Sequence, residues 1–155
     1  QVNVFSYHNF LDAIRLFSSK TKSFYASSSH IFGNCNTDIQ DENTEPKPNT
    51  IYALTKYDSM RITKYYRNKY NLFLTTGVLY NHESHLRPIK FVSRKIVNTA
   101  IKIKKGEINK LEIGNLNSKI DWGFAGDYVK AYHKILSYKK PDDFIISSGS
   151  TPIEE

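Results

Sequence analysis

The chain has 155 residues, 39% of them apolar and 14% aromatic, and its 22 Lys+Arg against 15 Asp+Glu give a formal net charge of +7. A domain of this size buries roughly 68–70% of the surface its unfolded chain exposes, so the composition excludes a disordered tail. No apolar run approaches the roughly 18 residues of a membrane helix, no charged-then-apolar leader opens the sequence, and the single Cys35 excludes an internal disulfide; a cytoplasmic protein is expected.

The helix read at residues 3–19 places Phe10, Ala13, Ile14 and Phe17 at the i, i+3, i+4, i+7 spacing of a packed face. Lys22 to Ser27 reads as a short buried strand ending in the serines 27–29. From Gly33 to Thr50 the composition turns to Asn, Thr, Asp, Glu and Pro, which marks a long surface loop. Asn49 or Thr50 can cap the helix expected over Thr50 to Tyr70, a stretch without Gly or Pro. A strand rich in Thr, Val, Leu and aromatics follows at Leu72 to Tyr80, then a polar stretch from Asn81 to Arg87.

Beyond Pro88 a helix is expected over about Lys90 to Lys105, with Val92, Ile96, Thr99 and Ile103 on one face and Gly106 at its end. The remaining expectations are a strand at Lys110 to Gly114, an irregular segment over 115–126, a helix from Asp127 with Val129, Tyr132, His133 and Leu136 as its stripe, and a strand at Phe144 to Ser147. Strands alternating with helices of ten to twenty residues argue an α/β fold with a parallel sheet. In such sheets ligands bind beyond the carboxyl ends of the strands, here the serines 27–29 and the stretch from Asn81.

Tyr52 and Lys56 are four apart on an expected helix and share a face. An ammonium beside a phenol favours the phenolate, so the pair can act as a base near neutrality. Spacing alone does not choose it over Tyr65 and Lys69; context does, because Tyr52 opens its helix beside the loop and follows the strand-end hydroxyl of Ser28. His82 and His85 flank Glu83, yet the spacing is not His-Glu-x-x-His, and no metal is expected.

Several segments carry a family likeness: Phe24 to Gly33, Tyr52 to Lys56, Tyr80-Asn81-His82-Glu83-Ser84, Phe91 to Ile96, Gly114-Asn115-Leu116, Asp121-Trp122-Gly123 and Asp127-Tyr128-Val129. In this order they resemble the landmarks of GDP-mannose 4,6-dehydratases, extended short-chain dehydrogenase/reductases. The resemblance implies part of a Rossmann-like doubly wound sheet with part of a C-terminal substrate-binding domain. Residues 1–80 would belong to the dinucleotide-binding domain, and 81–155 would form a nucleotide-sugar-binding region with interleaved Rossmann elements.

The resemblance further implies NADP, or NAD, as cofactor and a GDP-linked sugar as substrate. Tyr52 would remove the sugar's 4-hydroxyl proton, Lys56 would hold the phenolate and the nicotinamide ribose, and Ser28 would bond the same hydroxyl. His82 and Arg87 would help hold the cofactor, and Asn81 and Lys95 the substrate. A homodimer or homotetramer is implied for the parent protein.

The sequence departs from the family pattern in three places. Ser28 stands for the family's threonine, His30 for its glutamate and Ile120 for its arginine before Asp-Trp-Gly. The histidine opens an alternative, an NAD(P)-dependent C4 dehydrogenase, reductase or epimerase. The seven glycines contain no Gly-x-Gly-x-x-Gly, which the family carries near its N-terminus, so the chain is expected to be a fragment, inactive by itself. A polyanion-binding module is the remaining rival; dispersed basic residues and the lack of an RNA-recognition motif argue against nucleic acid.

Overall fold

The computed structural model describes residues 2–35, 37, 39–114 and 120–149. Its elements are α1 (Phe5–Phe17), β1 (Ser23–Ala26), a single 3-10 turn (Ser29–Phe32), α2 (Ile51–Tyr70), β2 (Leu74–Leu79), β3 (Asn81–Glu83), α3 (Val92–Lys104), β4 (Trp122–Phe124), α4 (Ala125–Leu136) and β5 (Asp143–Ile146). Residues 115–119 of the expected irregular segment, with Asn115 and Leu116 of the family landmarks, lie outside the described residues.

β1, β2 and β5 form a parallel sheet in the order β1-β2-β5, and β3 and β4 form a parallel pair of their own. All six residues of β2 are buried, as a central strand covered on both faces requires. On one face Leu72 and Leu74 meet Leu11, Ile14 and Tyr66 of α1 and α2, and Val78 meets Ile31 and Phe32. On the other, Leu79 and Ile146 meet Tyr128, with Phe24, Ala131, Tyr132 and Ile135 against them. Helices therefore cover both faces, giving the expected α/β layers.

Gly77 makes the second face possible, because a Cβ there would stand 2.4 Å from the Phe24 ring and 3.1 Å from Ile146 Cδ1. The gap lets Phe24 lie across the sheet and stack on Tyr132 at 4.5 Å. Between α2 and β5, Arg67 donates twice to Asp143, at 2.9 and 3.1 Å, and once to the Leu74 carbonyl at 3.1 Å. Arg67 and Asp143 side chains are 7% and 10% exposed, so this fork is a buried tie between the helix and the last strand.

Several expectations need correction. The buried face of α1 is Leu11 and Ile14 with Tyr7 against them, whereas Phe10, Ala13 and Phe17 are exposed. In α4 the packed stripe is Tyr128, Ala131, Tyr132 and Ile135, one position removed from the expected one; Val129 and His133 are exposed. Helical spacing gives the period, but the phase depends on where the sheet lies. Asn81–Glu83 is a strand, because Trp122–Phe124 returns to pair with it, and the same pairing puts a strand inside the segment read as irregular. Lys110 to Gly114 is not one: its alternation of half-buried Leu111 and Ile113 has no partner edge among the described residues.

Candidate active site

β1 ends at Ala26, and the chain turns through Ser27 and Ser28 into the 3-10 turn. Ser28 Oγ accepts the His30 N–H at 3.3 Å and so caps that turn. Its own proton is left to donate to a ligand oxygen. Ser28 is buried at the rim, while His30 is exposed.

Across from this turn, Thr50 Oγ1 accepts the Ala53 N–H at 3.1 Å and fixes the first turn of α2. Gly33 positions the approach. Its φ of +52° and the 1.9 Å separation between a built Cβ and the Lys47 carbonyl oxygen leave room for no side chain. Tyr52 then sits in the first turn, half exposed, with Lys56 one turn further.

The Lys56 Nζ lies 5.8 Å from the centroid of the Tyr52 ring and 5.2 Å from that of Tyr25, and donates to the Ala26 carbonyl at 2.8 Å. Burial holds its pKa below the ordinary ammonium value. The His30 ring meets Tyr52 edge-on, with centroids 6.0 Å apart and planes at 83°. Ser28, His30, Tyr52 and Lys56 are thus one cluster at the carboxyl end of β1. Tyr65 lies 13 residues along α2, about 20 Å from Tyr52 at 1.5 Å per residue, on an exposed face.

A second group gathers past the end of β2. His82 Nδ1 donates to the Tyr80 carbonyl at 2.9 Å, which leaves Nε2 as the acceptor nitrogen. Its ring stacks on Tyr128 at 4.5 Å and 23°. Gly123 admits that arrangement, since a Cβ there would come within 2.4 Å of the Tyr128 ring. Arg87 Nε is paired with Glu83 at 3.2 Å, and its guanidinium lies 3.7 Å from the Phe91 ring centroid. Asn81 pairs in the ladder with Trp122, which is 41% exposed rather than a core residue. Lys95 is exposed on α3.

Sequence reading missed Tyr25, the Ala26 carbonyl and Tyr128. The available signal for Tyr25 was strand alternation, which puts it on the same side as Ser23 and Ser27.

The family model described as GDP-mannose 4,6 dehydratase matches residues 1–153. The chain belongs to the GDP-mannose 4,6-dehydratase family. It is 41% identical over 143 residues to a GDP-mannose 4,6 dehydratase of Drosophila melanogaster, covering 91% of this chain and 36% of that protein. Against the Homo sapiens protein of the same name the identity is 38% over 141 residues, covering 90% and 38%. The chain therefore spans little more than a third of the length of these relatives.

Among solved structures, RMD from Pseudomonas aeruginosa complexed with NADPH superposes with a TM-score of 0.89 at 20% identity, over 96% of this chain and 52% of that one. The dTDP-glucose 4,6-dehydratase of Bacillus anthracis in complex with NAD gives 0.86 at 20% identity, over 96% and 47%. These two similarities concern the fold. Within it, the family member described here carries His30, Tyr52 and Lys56 around the end of β1.

Proposed function

We propose that this chain supplies the proton-transfer half of a nucleotide-sugar 4,6-dehydratase acting on GDP-mannose with NADP. The observation that carries the reading is Tyr52 and Lys56 one turn apart on α2, with Lys56 bonded to the Ala26 carbonyl at the strand end that leads into Ser28. Two structural neighbours are complexes with NADPH and with NAD, which supports a nicotinamide cofactor. The side chains fit its ribose and nicotinamide end: Lys56 keeps two ammonium donors after bonding Ala26, and the buried Ser27 Oγ has no partner among the described residues. The 155 residues contain no Gly-x-Gly-x-x-Gly turn for the pyrophosphate, so these residues by themselves would hold only that end.

When bound, the nicotinamide supplies a hydride acceptor for C4 of the hexose and the hydride that returns to C6. Tyr52, as phenolate, takes the proton of the 4-hydroxyl while Ser28 donates to the same oxygen. Lys56 keeps that phenolate favoured and bonds the ribose. The ketone at C4 acidifies C5–H; the imidazole of His30, beside Tyr52, would take that proton and pass it to the C6 hydroxyl, which leaves as water. His82 through Nε2, with Arg87, contributes to the cofactor side; Asn81 and Lys95 contribute to the substrate side.

The same histidine supports a second reading, a C4 dehydrogenase, reductase or epimerase, because an imidazole differs from a carboxylate in reach and charge. The test is incubation of the full-length protein with GDP-mannose and mass analysis. Loss of one water is the expected result, loss of two hydrogens marks a dehydrogenase, and unchanged mass with inverted stereochemistry an epimerase. Tyr52→Phe should lower any of these by about 100-fold or more, the usual worth of a positioned acid–base group; activity within a few-fold of wild type would remove the assignment.

The division at residue 80, with 81–155 turned toward the nucleotide sugar, belongs to this proposal. So does a homo-oligomer, supported by apolar residues exposed on the two helices over the first sheet face, among them Phe5 at 70% and Phe17 at 85%.

A further inference from the structure

We propose that Tyr25 is the positioning residue for Lys56: its ring face, with the adjoining Ala26 carbonyl, holds the ammonium in place between β1 and Tyr52. The inference rests on the reading of Tyr52 and Lys56 as the working pair. It starts from the strand. Consecutive residues of β1 alternate in direction, so Tyr25 faces α2 with its side chain while the exposed Ala26 offers its carbonyl to the same Nζ. The ammonium is 5.2 Å from the Tyr25 centroid, inside the roughly 6 Å over which a ring's negative face attracts a cation.

Tyr25 is itself held. It is 8% exposed, and Tyr7 lies behind it with centroids 4.4 Å apart, anchored in turn by a 2.9 Å bond between the Tyr7 hydroxyl and Thr63 Oγ1. The hydroxyl of Tyr25 is not the working part. The Tyr25 hydroxyl lies beside Ser59, whose own proton goes to the Asn3 carbonyl, and so faces the α1–α2 side and not Lys56. The ring is.

Burial disfavours the charge on Lys56. Among the described residues the charge is met by the Ala26 carbonyl and the ring faces of Tyr25 and Tyr52. A lysine that lost its proton could not stabilise a phenolate, so the ring under it bears on proton transfer without touching substrate.

The experiment places phenylalanines carrying zero to three ring fluorines at position 25 of the full chain, which keeps the shape while draining the ring face of electron density. Lys56 is followed by side-chain carbon and nitrogen NMR across pH. Tyr25→Phe should titrate as the unsubstituted protein does, and the trifluoro ring should lower the Lys56 midpoint by about half a pH unit, the equivalent of a partly exposed cation–π contact. A midpoint that does not move along the series overturns the proposal. Because the readout needs no turnover, it stands apart from the GDP-mannose assay: a protein that converts no nucleotide sugar defeats the functional reading and leaves the titration to decide Tyr25.

Discussion

The two site groups stand at the ends of neighbouring strands yet are built differently. Around β1 and α2 the elements that carry the proposed site are fixed by a helix cap, a close backbone approach and a buried ion pair: Thr50 caps the helix, Gly33 admits the loop, and Arg67 ties α2 to β5. Around β3, β4 and α3 little is buried. α3 has no buried residue, β3 is half-exposed throughout, and the anchorage of His82 is one carbonyl and one stacked ring. The proposed proton-transfer pair thus rests on this chain's own core, while the second group is held by a few polar and aromatic contacts.

The widest gap between the two halves should come from Arg67→Met. It strands the Asp143 carboxylate, 10% exposed, without its cation, and urea unfolding should show a loss of about 3–5 kcal/mol. A loss below 1 kcal/mol would mean that the sheet does not depend on the fork. Gly33→Ala comes next. The left-handed φ and the contact with Lys47 predict about 1–3 kcal/mol, read in the same unfolding experiment, with loosening of the approach to Tyr52.

Thr50→Ala removes one side-chain acceptor and should cost about 1 kcal/mol, whereas Thr50→Asp or Thr50→Ser should restore it. At the far end, Ile101→Lys on α3, where the isoleucine is 49% exposed, should change stability by less than about 0.5 kcal/mol. A large loss there would show that α3 is packed more firmly than its exposure indicates and would dissolve the contrast.

Much of the first half was legible. The Tyr52 and Lys56 spacing, the cap at Thr50 and the strand before the serines are local signals, and a helix of twenty residues leaves little freedom in how they align. The four residues expected to do chemistry met at one strand end because β1 and α2 are joined by a loop that closes on Gly33. The second half was less legible. Asn81–Glu83 and Trp122–Phe124 are each three residues long, too short to carry a period, and they are strands only because they found each other across 40 residues of chain.

The sequence by itself determined the longer helices and the strands of the three-stranded sheet, the family, and the four residues proposed for proton transfer. Periodicity, capping and turn chemistry act between neighbours in the chain. Tertiary structure alone decided which faces of α1 and α4 are inward, that Tyr25 lies against Lys56, and that His82 rests on Tyr128. Those depend on where a sheet or a ring from elsewhere in the chain arrives, and the energy of such a contact is settled by position in space.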